Sequence, residues 1–241
     1  ILIISTPDHL GLYKNLLGDG KQLGLKIKYK EQMYPNGLAE AFIIGEEFIN
    51  NKKTALLLGD NFFYGQNFSL NLNQAQHNSG ATIFLYSIKD PTSYGVVAFN
   101  NKNKIIAIEE KPKKPKSTFA VTGLYFYDEK VSEYAKYLSP SPRGELEITD
   151  LNRLYLEMQK LDYITLGRGF TWMDAGSFES LNTLNNFVES VQKRQGMYIG
   201  CIEEVALSKG WIDSNQLKEI IKYSGNSEYT NYLKTLLEKN S

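Results

Sequence analysis

Leu56-Leu57-Leu58-Gly59-Asp60-Asn61 is an apolar run that stops at a glycine and a carboxylate. With Thr54 and Ala55 ahead of it, it reads as a short, mostly apolar strand, Thr54 to Leu58. In open α/β sheets, ligands bind just beyond the carboxyl ends of strands, so Asp60 stands where a ligand would be met. A carboxylate there can hold Mg²⁺ through oxygen. The same Asp serves equally well as a turn residue.

Outward from this strand, apolar patterning alternates between strand and helix. Upstream, Ile1 to Ser5 reads as a buried strand and Leu25 to Tyr29 as a strand with alternating polarity. Leu38, Ala41, Phe42, Gly45, Phe48 and Ile49 recur at helical spacing, which predicts an amphipathic helix over 38–50. Downstream, Phe68 to His77 reads as a helix and Ala81 to Ser87 as a buried strand. Tyr94 to Phe99 and Ile105 to Glu109 flank the turn-like Asn100-Asn101-Lys102-Asn103 and read as a hairpin. Phe119 to Tyr127 is the next strand, and Glu145 to Gln159 a helix. This repetition predicts an α/β fold, a mostly parallel sheet with helices on both faces.

After Gly176 helical stripes take over, with a cap-like Asp213-Ser214. Tyr198 to Cys201 is the one further strand candidate. The reading is an α/β domain over 1–187 and a helical C-terminal appendage over 188–241, without a core of its own.

Composition narrows the function. Lys plus Arg is 27 and Asp plus Glu is 27, so net charge is zero. That disfavours nucleic acid as the main partner, since such proteins carry a basic excess. A single cysteine, Cys201, fits a reducing, cytoplasmic compartment. With two histidines far apart, a His/Cys zinc site is disfavoured. No apolar run reaches the roughly 18 residues of a membrane span.

Phe170 to Ser177 repeats the theme of the opening stretch: a short apolar strand, then Asp174, then a helix start. Two carboxylates from different strand ends can share one metal, although Asp174 alone would also suit an N-cap. Gln32-Met33-Tyr34-Pro35-Asn36-Gly37-Leu38 is a loop feeding a helix. Gly37 would offer backbone N–H groups, and the Gln32 amide could read a pyrimidine edge; a plain turn fits the spacing as well. Glu109-Glu110-Lys111-Pro112 ends a strand with acids and a base, suited to sugar hydroxyls and a phosphate. Arg143 precedes a helix start and suits an anion or a surface ion pair. The chain has neither a Gly-rich phosphate loop nor a G-x-S-x-G elbow nor a Cys/His pair, and a covalent mechanism has no obvious nucleophile.

Taken in order, seven segments resemble the sugar-nucleotide transferases, most specifically the glucose-1-phosphate thymidylyltransferase family. They are Pro35 to Ala39, Leu58 to Asn61, Tyr94-Gly95-Val96-Val97, Glu109 to Pro112, Ala120 to Tyr127, Arg143 to Asp150, and Trp172 to Gly176. Arg194-Gln195-Gly196 followed by Cys201 extends the match into the tail.

The resemblance implies a nucleotide-diphospho-sugar transferase fold. It implies that dTTP and glucose 1-phosphate react to give dTDP-glucose and pyrophosphate. It assigns Gln32, Gly37 and Asp60 to the nucleotide, and Asp60 and Asp174 to Mg²⁺. Tyr94, Gly95, Glu110, Lys111 and Val121 are assigned to the sugar, with Lys111, Arg143 and Asp60 in catalysis. A homo-oligomer is expected, with neither nucleic acid nor membrane as a partner. The alternatives are the same chemistry with UTP or another sugar 1-phosphate, or a non-catalytic remnant that binds sugar nucleotides. The family's Gly-rich loop with its Arg and a following Lys is not among the 241 residues. At least one βα unit, roughly 30 residues, is therefore expected ahead of Ile1, and residues 1–241 alone are expected to be inactive.

Overall fold

The computed structural model describes residues 1–239, so the last two positions of the expected 188–241 segment lie outside the described residues. Contacts divide the chain into two compact units. One joins Ile1–Met33 to the chain from Asn182 on, and the other is Tyr34–Leu181. The expected division, at 187/188, differs, because the unit with the C-terminal helices also holds the first 33 residues.

In the first unit β1 (Leu2–Ser5) and β2 (Lys28–Glu31) pair in parallel, with α1 (Pro7–Leu17) as the crossover. Pro7 suits the first turn of α1, where its missing N–H costs nothing. β1 is half-buried rather than buried. β2 starts later than expected because Leu25 is tied back to Gly20, its N–H donating to the Gly20 carbonyl at 2.9 Å.

The second unit contains α2 (Glu40–Ile44), α3 (Glu46–Ile49), β3 (Thr54–Leu57), β4 (Asn61–Tyr64), α4 (Phe68–His77) and β5 (Ala81–Ser87). There follow β6 (Gly95–Phe99), β7 (Ile105–Glu110), β8 (Phe119–Tyr127), α5 (Val131–Ala135), α6 (Ile148–Glu157), β9 (Leu161–Leu166) and β10 (Thr171–Asp174). The single helix expected over 38–50 is two short ones, broken at Gly45, a weak helix former. α6 starts at Ile148 rather than Glu145, because Leu146 donates its N–H to the Asn36 carbonyl at 2.6 Å.

The sheet runs β7-β6-β8-β5-β9, with β3 on β8 as well. Only β5 and β9 pair in parallel; β3–β8, β5–β8, β6–β7 and β6–β8 are antiparallel. The α/β class stands, but "mostly parallel" does not describe these strands. A parallel pair needs a crossover helix, and within this unit α5 and α6, ahead of β9, serve that purpose. Hairpin β6–β7 and the long β8 impose the antiparallel pairs instead. β8 takes β5 along one side, then β6 near its start and β3 near its end. A separate antiparallel ribbon joins β4 to β10.

Phe42, Ile83, Leu85, Val97, Ile108, Leu151 and Tyr155 form the main core of this unit. Each fully buried Leu or Ile there contributes roughly 1.5–3 kcal/mol.

α7 (Phe178–Gln195) crosses the boundary, and α8 (Ile202–Ser208), α9 (Ser214–Tyr223) and α10 (Glu228–Lys239) complete the first unit. Asp213 caps α9 in a reciprocal box with Gln216, as its position ahead of the apolar stripe suggests. No strand forms at Tyr198 to Cys201 among the described residues. The tail is not coreless either: Leu23, Cys201, Ala206, Ile212, Leu217, Leu233 and Leu236 bury one another. The sequence reading missed this because Leu23, far upstream, supplies part of it.

Candidate active site

Tyr94, Gly95, Glu110, Lys111, Val121, Arg143 and Asp174 line one cavity of about 180 Å³ in the Tyr34–Leu181 unit. β6 and β7 bring Gly95 opposite Glu110 in register, and Val96 pairs with Ala120, which sets Val121 beside them. A larger cavity, about 340 Å³, opens elsewhere in the unit beside Lys53. Its one charged wall is already committed: Lys53 Nζ donates to the Asn78 carbonyl at 2.8 Å and the Gln76 carbonyl at 3.3 Å. That cavity has no carboxylate in its lining.

The acidic corner of the 180 Å³ cavity is built by the β4–β10 ribbon. Asn61 pairs with Asp174 in register, and Ala175 N–H donates to the Asp60 carbonyl at 2.8 Å. A methyl group placed on Gly176 would sit 2.9 Å from Asp174 Oδ1 and 3.7 Å from Asp60 Oδ2. The two carboxylates thus converge on one small volume, as expected from the sequence. Each has one oxygen tied to a protein donor. Gly176 N–H donates to Asp174 Oδ1 at 2.7 Å, and Asn61 Nδ2 donates to Asp60 Oδ1 at 2.9 Å. Tyr94 feels both charges: burial raises its phenol pKa, and Asp174 and Asp60 push it the same way. Among the described residues no group of three His, Cys, Asp or Glu is placed to hold a metal. Two carboxylates suit Mg²⁺ nonetheless, since it keeps waters and takes phosphate oxygens in its other positions.

The opposite corner is an ion-pair cluster. Arg143 grips Glu147 with its fork, Nε to Oε1 at 3.1 Å and Nη2 to Oε1 and Oε2 at 2.9 Å. Glu145 Oε2 and Glu110 Oε1 lie 3.5 and 3.7 Å from Nη2. The bond to Glu147 raises the guanidinium pKa further. Glu147 is buried and also accepts from Ser141 Oγ at 2.7 Å. Thr149 Oγ1 donates to Glu110 Oε2 at 2.5 Å. Lys111 is exposed, sits at a φ of 42°, and has no ion pair among the described residues. The lining therefore carries Glu110, Glu145, Glu147 and Asp174 against Lys111 and Arg143. Such an acid excess accepts hydroxyls readily and meets a phosphate only with help from a cation.

Gly37 does not open the helix, which begins at Glu40. It serves a close approach: at φ 103° a side chain there would fall 2.4 Å from the Leu146 carbonyl oxygen. This ties the loop before α2 to the Arg143–Glu147 segment. Gln32 follows β2 in the other unit, its N–H donating to the Ser5 carbonyl at 2.9 Å, and is not in the cavity lining.

Glu147, Thr149, Asn61 and Trp172 contribute to the site without having been singled out in the sequence.

The Nucleotidyl transferase family model matches residues 1–191. A glucose-1-phosphate thymidylyltransferase of Neisseria meningitidis serogroup A / serotype 4A is 50% identical over 240 residues, 99% of this chain and 83% of that protein. One from Mycobacterium tuberculosis (strain ATCC 25618 / H37Rv) is 45% identical over 240 residues, 100% of this chain and 83% of that protein. Among solved structures, a Bacillus anthracis protein assigned to the glucose-1-phosphate thymidylyltransferases, in complex with a sucrose, aligns with a TM-score of 0.71 and 38% identity. It covers 84% of this chain and 79% of its own. UDP-glucose pyrophosphorylase complexed with UDP-glucose shares the fold, with a TM-score of 0.64 at 20% identity over 78% of this chain and 80% of its own.

Proposed function

The chain belongs to the nucleotidyl transferase family, among the glucose-1-phosphate thymidylyltransferases, and on that premise we propose that it transfers a deoxythymidylyl group from dTTP to glucose 1-phosphate, forming dTDP-glucose and pyrophosphate. The observation that carries the reading is the convergence of Asp60 and Asp174 at the edge of a cavity rich in hydroxyl acceptors.

In this reading Glu110 accepts from hexose hydroxyls, with Thr149 holding one of its oxygens in place. Tyr94, Gly95 and Val121 shape the sugar wall; even a methyl at Gly95 would press on Thr149, its Cβ lying 3.1 Å from Thr149 Oγ1. Lys111 and Arg143 orient the sugar phosphate, Arg143 with its fork steadied by Glu147. Gln32 and Gly37 are assigned to the thymine. Asp60 and Asp174 would hold Mg²⁺, which when bound neutralises charge on the triphosphate and on departing pyrophosphate.

An oxygen of the sugar phosphate attacks the α-phosphorus, the bond from that phosphorus to its bridging oxygen breaks, and pyrophosphate leaves. This needs no protein nucleophile; positioning and charge compensation supply the catalysis. A homo-oligomer and a cytoplasmic location belong to the same reading. Large apolar side chains exposed on the surface, Leu16 and Phe178 among them, support the first. Among the described residues, no helix is long and apolar enough to cross a membrane.

The test is pyrophosphate release by the full-length protein that carries these residues, with dTTP, glucose 1-phosphate and Mg²⁺, and with UTP and galactose 1-phosphate in parallel. The expected result is one dTDP-glucose per pyrophosphate, with dTTP preferred. No release with any pair would overturn the reading.

A further inference from the structure

Asn61 sits where β4, β8 and β10 meet. Its Oδ1 accepts two bonds, from Gly123 N–H at 2.8 Å and from Trp172 Nε1–H at 2.7 Å. Both lone pairs of that oxygen are therefore used. The amide cannot be turned over, because its NH₂ would then face two N–H donors. Nδ2 is left with one direction, and there it donates to Asp60 Oδ1 at 2.9 Å. Space for this is specific: a Cβ on Gly123 would fall 2.5 Å from Asn61 Cγ and from Oδ1. Trp172 is in turn fixed by the rings of Tyr94, at 4.9 Å, and Tyr86, at 6.0 Å. Asp60 itself is exposed, and among the described residues no other donor bonds its carboxylate.

We infer that Asn61 is a positioning residue: pinned by Gly123 and Trp172, its amide aims the Asp60 carboxylate so that Oδ2 faces the volume shared with Asp174. Asn61 also lines the cavity, but its Oδ1 is fully used by Gly123 and Trp172, so its effect on transfer runs through Asp60. The inference rests on the proposed role of Asp60 as a carboxylate that takes part in transfer. A hydrogen bond to a charged group is worth about 1.5–3 kcal/mol, so its loss should show as about a tenfold effect or more.

The test is a double-mutant cycle of Asn61→Ala and Asp60→Ala in the full-length protein that carries these residues, read by kcat for pyrophosphate release and by Mn²⁺ affinity of the substrate-free protein in electron paramagnetic resonance. Asn61→Ala should lower kcat by about tenfold or more and weaken Mn²⁺ several-fold, while leaving the KM for glucose 1-phosphate within about twofold. In the Asp60→Ala background it should change neither reading by more than about twofold. An equal loss in both backgrounds would overturn the inference, as it would make Asn61 merely structural. Parental kcat and Mn²⁺ affinity in Asn61→Ala would overturn it too.

Should Asn61→Ala fail to fold, Asn61→Asp takes its place, because it keeps the acceptor for Gly123 and Trp172 and turns the donor facing Asp60 into a charged acceptor that cannot hold that carboxylate. With Trp211→Phe as background, Trp172 emission should stay parental in Asn61→Asp while kcat falls about tenfold; a parental kcat would overturn the inference. Parental kcat in Asp60→Ala would instead defeat the reading of Asp60 itself, which separates the two failures.

Discussion

The two charged corners of one cavity are built on opposite plans. At the Arg143 corner the protein supplies both signs: guanidinium, Glu147, Glu145 and Glu110 answer one another, and Ser141 and Thr149 fill remaining acceptor positions. At the Asp60–Asp174 corner it supplies one sign only, with each carboxylate anchored by a single N–H donor and with Asp174 Oδ1 and Asp60 Oδ2 turned to a common volume. The first corner is complete before any ligand arrives. The second is energetically unfinished, because two like charges at short range favour a cation between them. A built-in ion pair gives shape; an unpaired acid pair gives appetite for a metal.

This contrast can be broken most forcefully at the open corner. Asp174→Asn should lower kcat for pyrophosphate release by roughly 10²–10³-fold, the usual scale for losing one group that stabilises developing charge. Turnover within threefold of the parent would remove the acid pair from the mechanism.

The closed corner should also respond in stability. Glu147→Gln takes one charge from a pair whose acid is buried and whose Arg143 side chain is 42% exposed. After discounting for that exposure, the urea midpoint should fall by an amount equivalent to about 1 kcal/mol. No change in midpoint would mean that the pair adds nothing to stability and serves only to steady Arg143.

The smallest effect is a titration. Tyr94 has its phenol pKa raised by burial and then by Asp174 and Asp60. A phenol with a raised folded pKa contributes stability that is present below its unfolded pKa of about 10 and lost as pH rises through the folded value. Asp174→Asn should therefore move Tyr94 down toward the ordinary range and narrow that alkaline window. Absorbance titration at high pH, with Tyr94→Phe in each background as the blank, reads the shift. An unchanged Tyr94 would mean that the Asp174 charge does not reach the ring.

Much of this was legible beforehand. α4 and β5 start and stop where the periodicity places them, because local pattern and tertiary burial agree there. The residues of the cavity were legible through resemblance, and Asp60 and Asp174 do converge. What escaped was non-local. Strand direction depends on which partner β8 finds, not on the residues within a strand. The turn at Gly37 is shaped by Leu146, and the core of the C-terminal helices is completed by Leu23. The orientation of the Asn61 amide is set by donors 62 and 111 positions away. No windowed reading of residues 55–65 contains that information.

Lys111 follows β7 with its backbone in the left-handed region, at φ 42°. A β-carbon there is disfavoured, and glycine would relieve the chain at no steric cost. The position therefore pits two selections against each other. A library screened for survival after heating should enrich Lys111→Gly. The same library screened for dTDP-glucose output should purge it, because the relief comes with loss of the one cavity ammonium free of ion pairs among the described residues. Residue 111 is thus a marker by which an evolving population would reveal which of the two demands governs it.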